Sequence, residues 1–164
     1  MKPETKKKGG AFGLLAILIA TPLVVKFEGT VLSTYKDPIG IPTVCMGETD
    51  KSITMRQRFT KDECLVLLGA SLRQHADGVS QCIAQPLKDH EAAAVLSWTY
   101  NIGVGAACKS TLVRKINQGA PAGEWCPELQ KWVYAGGRVL PGLVKRRQAE
   151  LAMCLGRVET GAGG

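Results

Sequence analysis

The chain has 164 residues, 45% apolar and 21% charged, which suits one domain with its own core and excludes wholesale disorder or a collagen-like repeat. Lys and Arg outnumber Asp and Glu by 21 to 14, so the net charge is +7 and an anionic polymer or surface is the natural partner. Nucleic acid, anionic lipid and bacterial cell wall all qualify, although three Trp, three Tyr and three Phe are few for base stacking.

The N-terminal end carries a compartment signal. Lys2, Lys6, Lys7 and Lys8 stand against a single Glu4, and residues 9–25 then run for seventeen positions without a charge. A basic flank followed by an apolar run opens a secretory signal, but the small-x-small cleavage pattern is poor around Ala20. As a helix the run would span about 25 Å, slightly short of the ~30 Å hydrocarbon core. We read residues 1–25 as a cytoplasmic basic flank and a marginal signal-anchor, with the remainder exported because flanking lysines are retained on the cytoplasmic side. A buried N-terminal core helix and a cleaved signal peptide are the alternative readings.

Residues 35–53 are rich in Gly, Pro, Asp and Thr; Pro38, Gly40, Pro42 and Gly47 forbid a helix and predict strands and turns. Thr60 followed by Glu63 is a capping box, and Leu65, Leu68, Leu72 and Ala76 continue at helical spacing, so a helix is expected over 61–77. Further helices are predicted over 90–101, from the Ser110 cap to Gly119, between Pro121 and Tyr134 with a start or break at Pro127, and from Pro141 to Gly156. Residues 159–164 have nothing to bury and read as a frayed tail. The fold class is α+β, a small β-hairpin lobe followed by a helical lobe.

Cys45, Cys64, Cys82, Cys108, Cys126 and Cys154 lie 18 to 28 residues apart in succession, too far for a zinc ribbon or a redox CxxC pair. With His75 and His90 in no metal-binding pattern, neither a metal nor another cofactor is expected. An even number of dispersed cysteines predicts three disulfides in an oxidising compartment, in agreement with the export signal.

The hairpin segment and its approach hold Glu28, Asp37, Thr43, Glu48, Thr49 and Asp50. Two carboxylates flanking a cleft are what glycoside hydrolysis needs, one protonated to release the leaving oxygen and one to activate water or stabilise positive charge. Glu28 and Asp37 are nine residues apart, so only a turn can bring them together. Arg146 and Arg147 read as a solvated pair, with an approach of either to Glu28 as the alternative; Trp98, Trp125 and Trp132 read as core rather than sugar platforms, and His75 and His90 as surface residues.

The spacing Glu28, Asp37, Thr43 resembles the catalytic triad of the phage lysozymes of glycoside hydrolase family 24. The likeness continues through Thr43-Val-Cys-Met-Gly47-Glu-Thr49, Asn101-x-Gly103-x-Gly105, Ser110-Thr111-Leu112, Trp132-Val-Tyr134-Ala-Gly136-Gly137 and Leu140-Pro-Gly-Leu143 with Arg146, Arg147 and Glu150. It covers residues 26–155, departing where Cys45 replaces a common glycine and Glu48 a common histidine. The resemblance implies a two-lobed phage-lysozyme fold over residues 26–158 with a long connecting helix. It assigns Glu28 as general acid, Asp37 as second carboxylate and Thr43 as a holder of the attacking water. Inversion would follow, with carboxyl groups about 6.5–9.5 Å apart.

Disulfides Cys82–Cys108, Cys45–Cys64 and Cys126–Cys154 are implied by the same resemblance. The apolar segment is similar to that of signal-arrest-release endolysins of lambdoid phages, which implies a monomeric muramidase acting on peptidoglycan. Such an enzyme is tethered to the host inner membrane through residues 9–25 and later released into the periplasm. No cysteine falls in residues 1–44, so activation by disulfide exchange with the anchor is not available to this chain. A lytic transglycosylase and a non-enzymatic, membrane-anchored wall-binding protein are the competing functions. Export and disulfides argue against nucleic acid as a partner.

Overall fold

The computed structural model describes residues 12–49 and 51–157; the basic flank at residues 2–8, Asp50 and the tail at 159–164 lie outside the described residues. Helix α1 (Leu14–Glu28) leads into a hairpin of β1 (Val31–Lys36) and β2 (Pro42–Cys45), followed by the long helix α2 (Lys61–Ser80). The helical lobe comprises α3 (Asp89–Ile102), α4 (Val104–Cys108), α5 (Thr111–Asn117), α6 (Ala122–Trp125) and a 3-10 turn (Cys126–Lys131). A small hairpin of β3 (Tyr134–Ala135) and β4 (Arg138–Val139) then precedes α7 (Pro141–Cys154).

The β1–β2 pair is antiparallel, with Tyr35 opposite Thr43 and Lys36 opposite Pro42. Residues 57–59 run along the other side of β1, where the Thr34 N–H donates to the Gln57 carbonyl at 3.0 Å and the Phe59 N–H to the Leu32 carbonyl at 2.8 Å. The α2 capping box is complete: the Glu63 N–H donates to the Thr60 hydroxyl at 3.1 Å, and the Thr60 N–H to a Glu63 carboxylate oxygen at 2.7 Å. The buried stripe of α2 is Cys64, Leu68, Leu72, Ala76 and Val79, and the expected Leu65 points outward, 45% exposed. Ser110 caps α5 through its hydroxyl, which accepts the Val113 N–H at 3.1 Å.

Two local features depart from the sequence reading. The stretch after Pro127 is a 3-10 turn rather than α-helix, and Tyr134 to Val139 forms a hairpin whose Gly136 and Gly137 have φ of 58° and 76°. Positive φ at both central residues is the two-residue turn that matches strand twist, and only glycine adopts it without strain.

Helix α3 is the centre of the molecule. Residues 92–99 are buried without interruption, and α3 packs chiefly on α1 and α7. Ala92, Ala93 and Ala94 on α3, with Ala16 and Ala20 on α1, are fully buried and present small side chains to the interior. Helix α1 runs across the position 25/26 boundary expected between anchor and lysozyme unit, and Ala16, Ile17, Ala20 and Val24 lie in the core. Its outer face leaves Leu14, Leu15 and Leu18 more than half exposed. Among the described residues no helix is long and apolar enough to cross a membrane.

All three disulfides join the partners that the family resemblance implied. Cys45–Cys64 ties β2 to the first turn of α2, Cys82–Cys108 spans α3 and α4, and Cys126–Cys154 fastens the 3-10 turn to the end of α7.

Candidate active site

The end of α1 delivers Glu28 to the lobe junction. Gly29, at φ 70°, closes the helix by donating its N–H to the Val25 carbonyl at 3.0 Å, and the chain turns directly into β1. The Glu28 side chain retains 24% exposure and forms an ion pair with Nη1 of Arg146, whose own side chain is only 3% exposed. The other two Arg146 nitrogens are also used. Nε reaches Glu150 Oε1 at 3.0 Å and Nη2 reaches the Ser97 carbonyl at 3.0 Å.

Arg147 and Glu150 extend this network into the core. Arg147 pairs with Glu150 Oε2 through Nη1, donates to the Asn101 side-chain oxygen through Nη2, and reaches the Trp132 carbonyl through Nε at 2.9 Å. The Ser97 hydroxyl donates to Glu150 Oε1 at 2.8 Å. Burial pulls the Arg147 pKa down, and the charge of Glu150 pulls it back up. The reading of Arg146 and Arg147 as a solvated pair is therefore corrected: both are buried, because two carboxylates and several carbonyls replace their hydration.

Asp37 and Thr43 lie at the β1–β2 connection and share a neighbour. Asp37 Oδ1 accepts the N–H groups of Ile39 and Ile41, each at 2.9 Å, so the carboxylate organises its own turn. The Thr43 hydroxyl donates to the Ile41 carbonyl at 3.0 Å, and Thr43 is 4% exposed. Ile41 thus fixes both side chains. Among the described residues no donor reaches Asp37 Oδ2, and the Thr43 oxygen, its proton committed, keeps lone pairs for another donor.

The next turn holds the two departures from the resemblance. Cys45 has φ 59°, a left-handed conformation that glycine adopts freely and other residues at a cost of about 1–2 kcal/mol. The backbone keeps the glycine-type geometry here with a bridged cysteine in it. Glu48 lies half-buried beside Tyr100. Trp98 and Trp125 are core, as expected, and Trp132 packs edge-on against Trp98 with ring centroids 5.5 Å apart. His75 and His90 are half-buried rather than surface residues: His75 packs on Tyr100, and His90 lies within hydrogen-bond distance of the Met153 carbonyl at 3.0 Å. No cluster of potential metal ligands occurs among the described residues.

Sequence reasoning missed Ser97 and Tyr100 as contributors to this region, and had Asn101 only as part of the Asn101-x-Gly103-x-Gly105 motif. Arg146, Arg147 and Glu150, at i, i+1 and i+4, carried a signal that was read on the wrong side of the helix.

An ion-paired glutamate at the end of α1, followed in the chain by a hairpin that carries an aspartate and a threonine, is the pattern expected of a lysozyme-type glycoside hydrolase. Residues 25–150 match the phage lysozyme family, and the chain belongs to it. It is 39% identical over 148 residues to the SAR-endolysin of Enterobacteria phage P21, covering 90% of this chain and 89% of that protein. Among solved structures, a phage P22 lysozyme variant superposes with a TM-score of 0.76 at 28% identity, covering 83% of this chain and 94% of that one. The muramidase domain of SpmX from Asticaccaulis excentricus gives a TM-score of 0.76 at 26% identity, with the same coverage.

Proposed function

We propose that this protein is an endolysin with muramidase activity, which hydrolyses the glycan strands of peptidoglycan and lyses the host at the end of a phage infection. The observation that supports the reading is Glu28 held by the buried Arg146 at the end of α1, where the chain turns into the hairpin that carries Asp37 and Thr43. Glu28 donates its proton to the leaving glycosidic oxygen. A water that donates to Asp37 Oδ2 and to the Thr43 oxygen keeps a lone pair for the sugar carbon, and attack from that face inverts the configuration. None of these steps calls for a cofactor, and the chain acts as a monomer.

The N-terminal segment gives the enzyme a second location. Residues 1–25 act as a flank and anchor that hold the exported chain at the inner membrane, and residues 26–158 form the catalytic unit on the periplasmic side, ahead of the tail at 159–164. The same apolar residues suit lipid and core alike. Ala16, Ile17, Ala20 and Val24 pack inside, while Leu14, Leu15 and Leu18 remain exposed on a helix of marginal length for a bilayer. In the tethered state Glu28, three residues beyond the apolar run, is at the headgroups and apart from Asp37 and Thr43. Release of α1 into the fold completes the site, with the disulfides unchanged.

Product analysis tests the activity. Digestion of peptidoglycan by the full chain yields reducing ends; anhydro sugar ends would mark a lytic transglycosylase instead. Fractionation before and after membrane depolarisation tests the relocation: the uncleaved chain moves from the membrane to the soluble fraction, and an active protein that stays in the membrane, or is trimmed near Ala20, contradicts it.

A further inference from the structure

Tyr100 of α3 reaches across the lobe junction to the turn that follows Thr43. Its hydroxyl oxygen is 2.9 Å from the Met46 carbonyl and 3.0 Å from Glu48 Oε1. A tyrosine hydroxyl has one proton to give. If Glu48 is ionised, two pure acceptors compete for that proton, and one is left without a donor from Tyr100. If Glu48 is protonated, its O–H donates to the Tyr100 oxygen and the Tyr100 O–H donates to the Met46 carbonyl, so both short contacts become hydrogen bonds in series.

We propose that Glu48 and Tyr100 are positioning residues for the hydrolytic reaction, a proton-carrying clasp in which neutral Glu48 donates to Tyr100 and Tyr100 to Met46, holding the Thr43-bearing turn to the large lobe. The turn is built to be held from outside. The Val44 N–H donates to the Glu48 carbonyl at 3.0 Å and the Glu48 N–H to the Val44 carbonyl at 2.8 Å, so movement of Glu48 pulls on the residue next to Thr43.

The groups around Glu48 shift it toward the neutral form on balance. Burial raises its pKa and the Glu28 charge on α1 raises it further, while hydrogen bonds from Tyr100 and from Ser71 of α2, and the charge of His75 on α2, oppose the rise. Tyr100 is itself pushed above its ordinary range, first by burial and then by Glu48, so it remains a donor.

Glu48→Gln is the decisive variant, since the amide donates to Tyr100 at every pH and cannot ionise. The clasp rests on the muramidase reading only for its activity readout. The ratio of kcat/KM for Glu48→Gln over wild type is expected to rise about five- to tenfold between pH 5 and pH 8, the size of one net hydrogen bond. In a Tyr100→Phe background the ratio becomes flat. A ratio independent of pH in the wild-type background overturns the clasp. Carboxyl carbon NMR of the intact wild-type chain tests it without any activity: Glu48 titrates above the exposed glutamates, and a Glu48 carboxylate already ionised at pH 5 overturns the proposal while leaving the muramidase assignment untouched.

Discussion

Glu28 and Glu150 grip the same guanidinium. Arg146 offers Nη1 to Glu28 at the lobe junction and Nε to Glu150 in the core, where Glu150 is fully buried. With Arg147 the network sets two guanidinium groups against two carboxyl groups. The side chain proposed to donate the catalytic proton is thereby braced by a network that reaches the centre of the fold.

Removing Glu150 should therefore cost stability out of proportion to its lack of contact with substrate. Glu150→Gln leaves one positive charge buried without compensation, and we expect a loss of about 3–5 kcal/mol in urea unfolding. Arg146→Met is expected to lower activity as well as stability, because Glu28 loses the partner that fixes its position. Unfolding curves for both variants, with activity measured well below their midpoints, check this.

The Cys45–Cys64 bridge and the left-handed backbone of Cys45 make separable contributions. Without the bridge, Cys45→Gly/Cys64→Ala should be more stable than Cys45→Ala/Cys64→Ala by about 1 kcal/mol, the part of the left-handed penalty that outweighs glycine's greater unfolded freedom. Both should lie about 2–4 kcal/mol below the bridged protein. Denaturant titration of the three proteins gives the comparison.

Glu128 sets part of the acid sensitivity. Hydrogen bonds from Lys115 and then Lys131, each at 2.7 Å, hold its carboxyl below the ordinary 4.5. A carboxylate with a depressed folded pKa stabilises the protein above its unfolded value and loses that contribution as pH falls through the folded one. The difference in melting temperature between wild type and Glu128→Gln should be constant from pH 7 to about 5 and shrink below about 4.5. A difference that persists unchanged to pH 3 would contradict it.

Ala20 tests the two environments proposed for α1. Ala20→Leu makes the segment more apolar for lipid but overfills a position with no exposed surface, at a cost of about 1–3 kcal/mol to the folded enzyme. The variant should accumulate in the membrane fraction after depolarisation, and the purified protein should unfold at lower urea than wild type.

The legibility of this chain varied with the range of the interaction concerned. The Thr60–Glu63 capping box and the Ser110 cap are local signals and were read directly. The Gly136-Gly137 hairpin was legible in principle, but strands of two residues show no alternation to reinforce the turn. The burial of Arg146 and Arg147 was not legible from α7 alone: their partners Glu28 and Asn101 lie 118 and 46 residues away, and a basic pair on an isolated helix looks like a solvated face. The apolar run at residues 9–25 was ambiguous for a different reason, since residues that enter lipid also pack against the alanines of α3. Family resemblance supplied Glu28, Asp37 and Thr43, where spacing alone offered six polar candidates.

The central claim, that Glu28 is the proton donor of a muramidase, is tested most directly by the full-length Glu28→Gln variant on purified peptidoglycan. The amide cannot donate at ordinary pH, and Arg146 keeps a hydrogen-bonding oxygen to pair with, so the variant should fold like wild type. We expect the rate of reducing-end release to fall by a factor of about 10²–10⁴ with the circular dichroism spectrum unchanged. A folded Glu28→Gln protein that releases reducing ends at the wild-type rate would contradict the account.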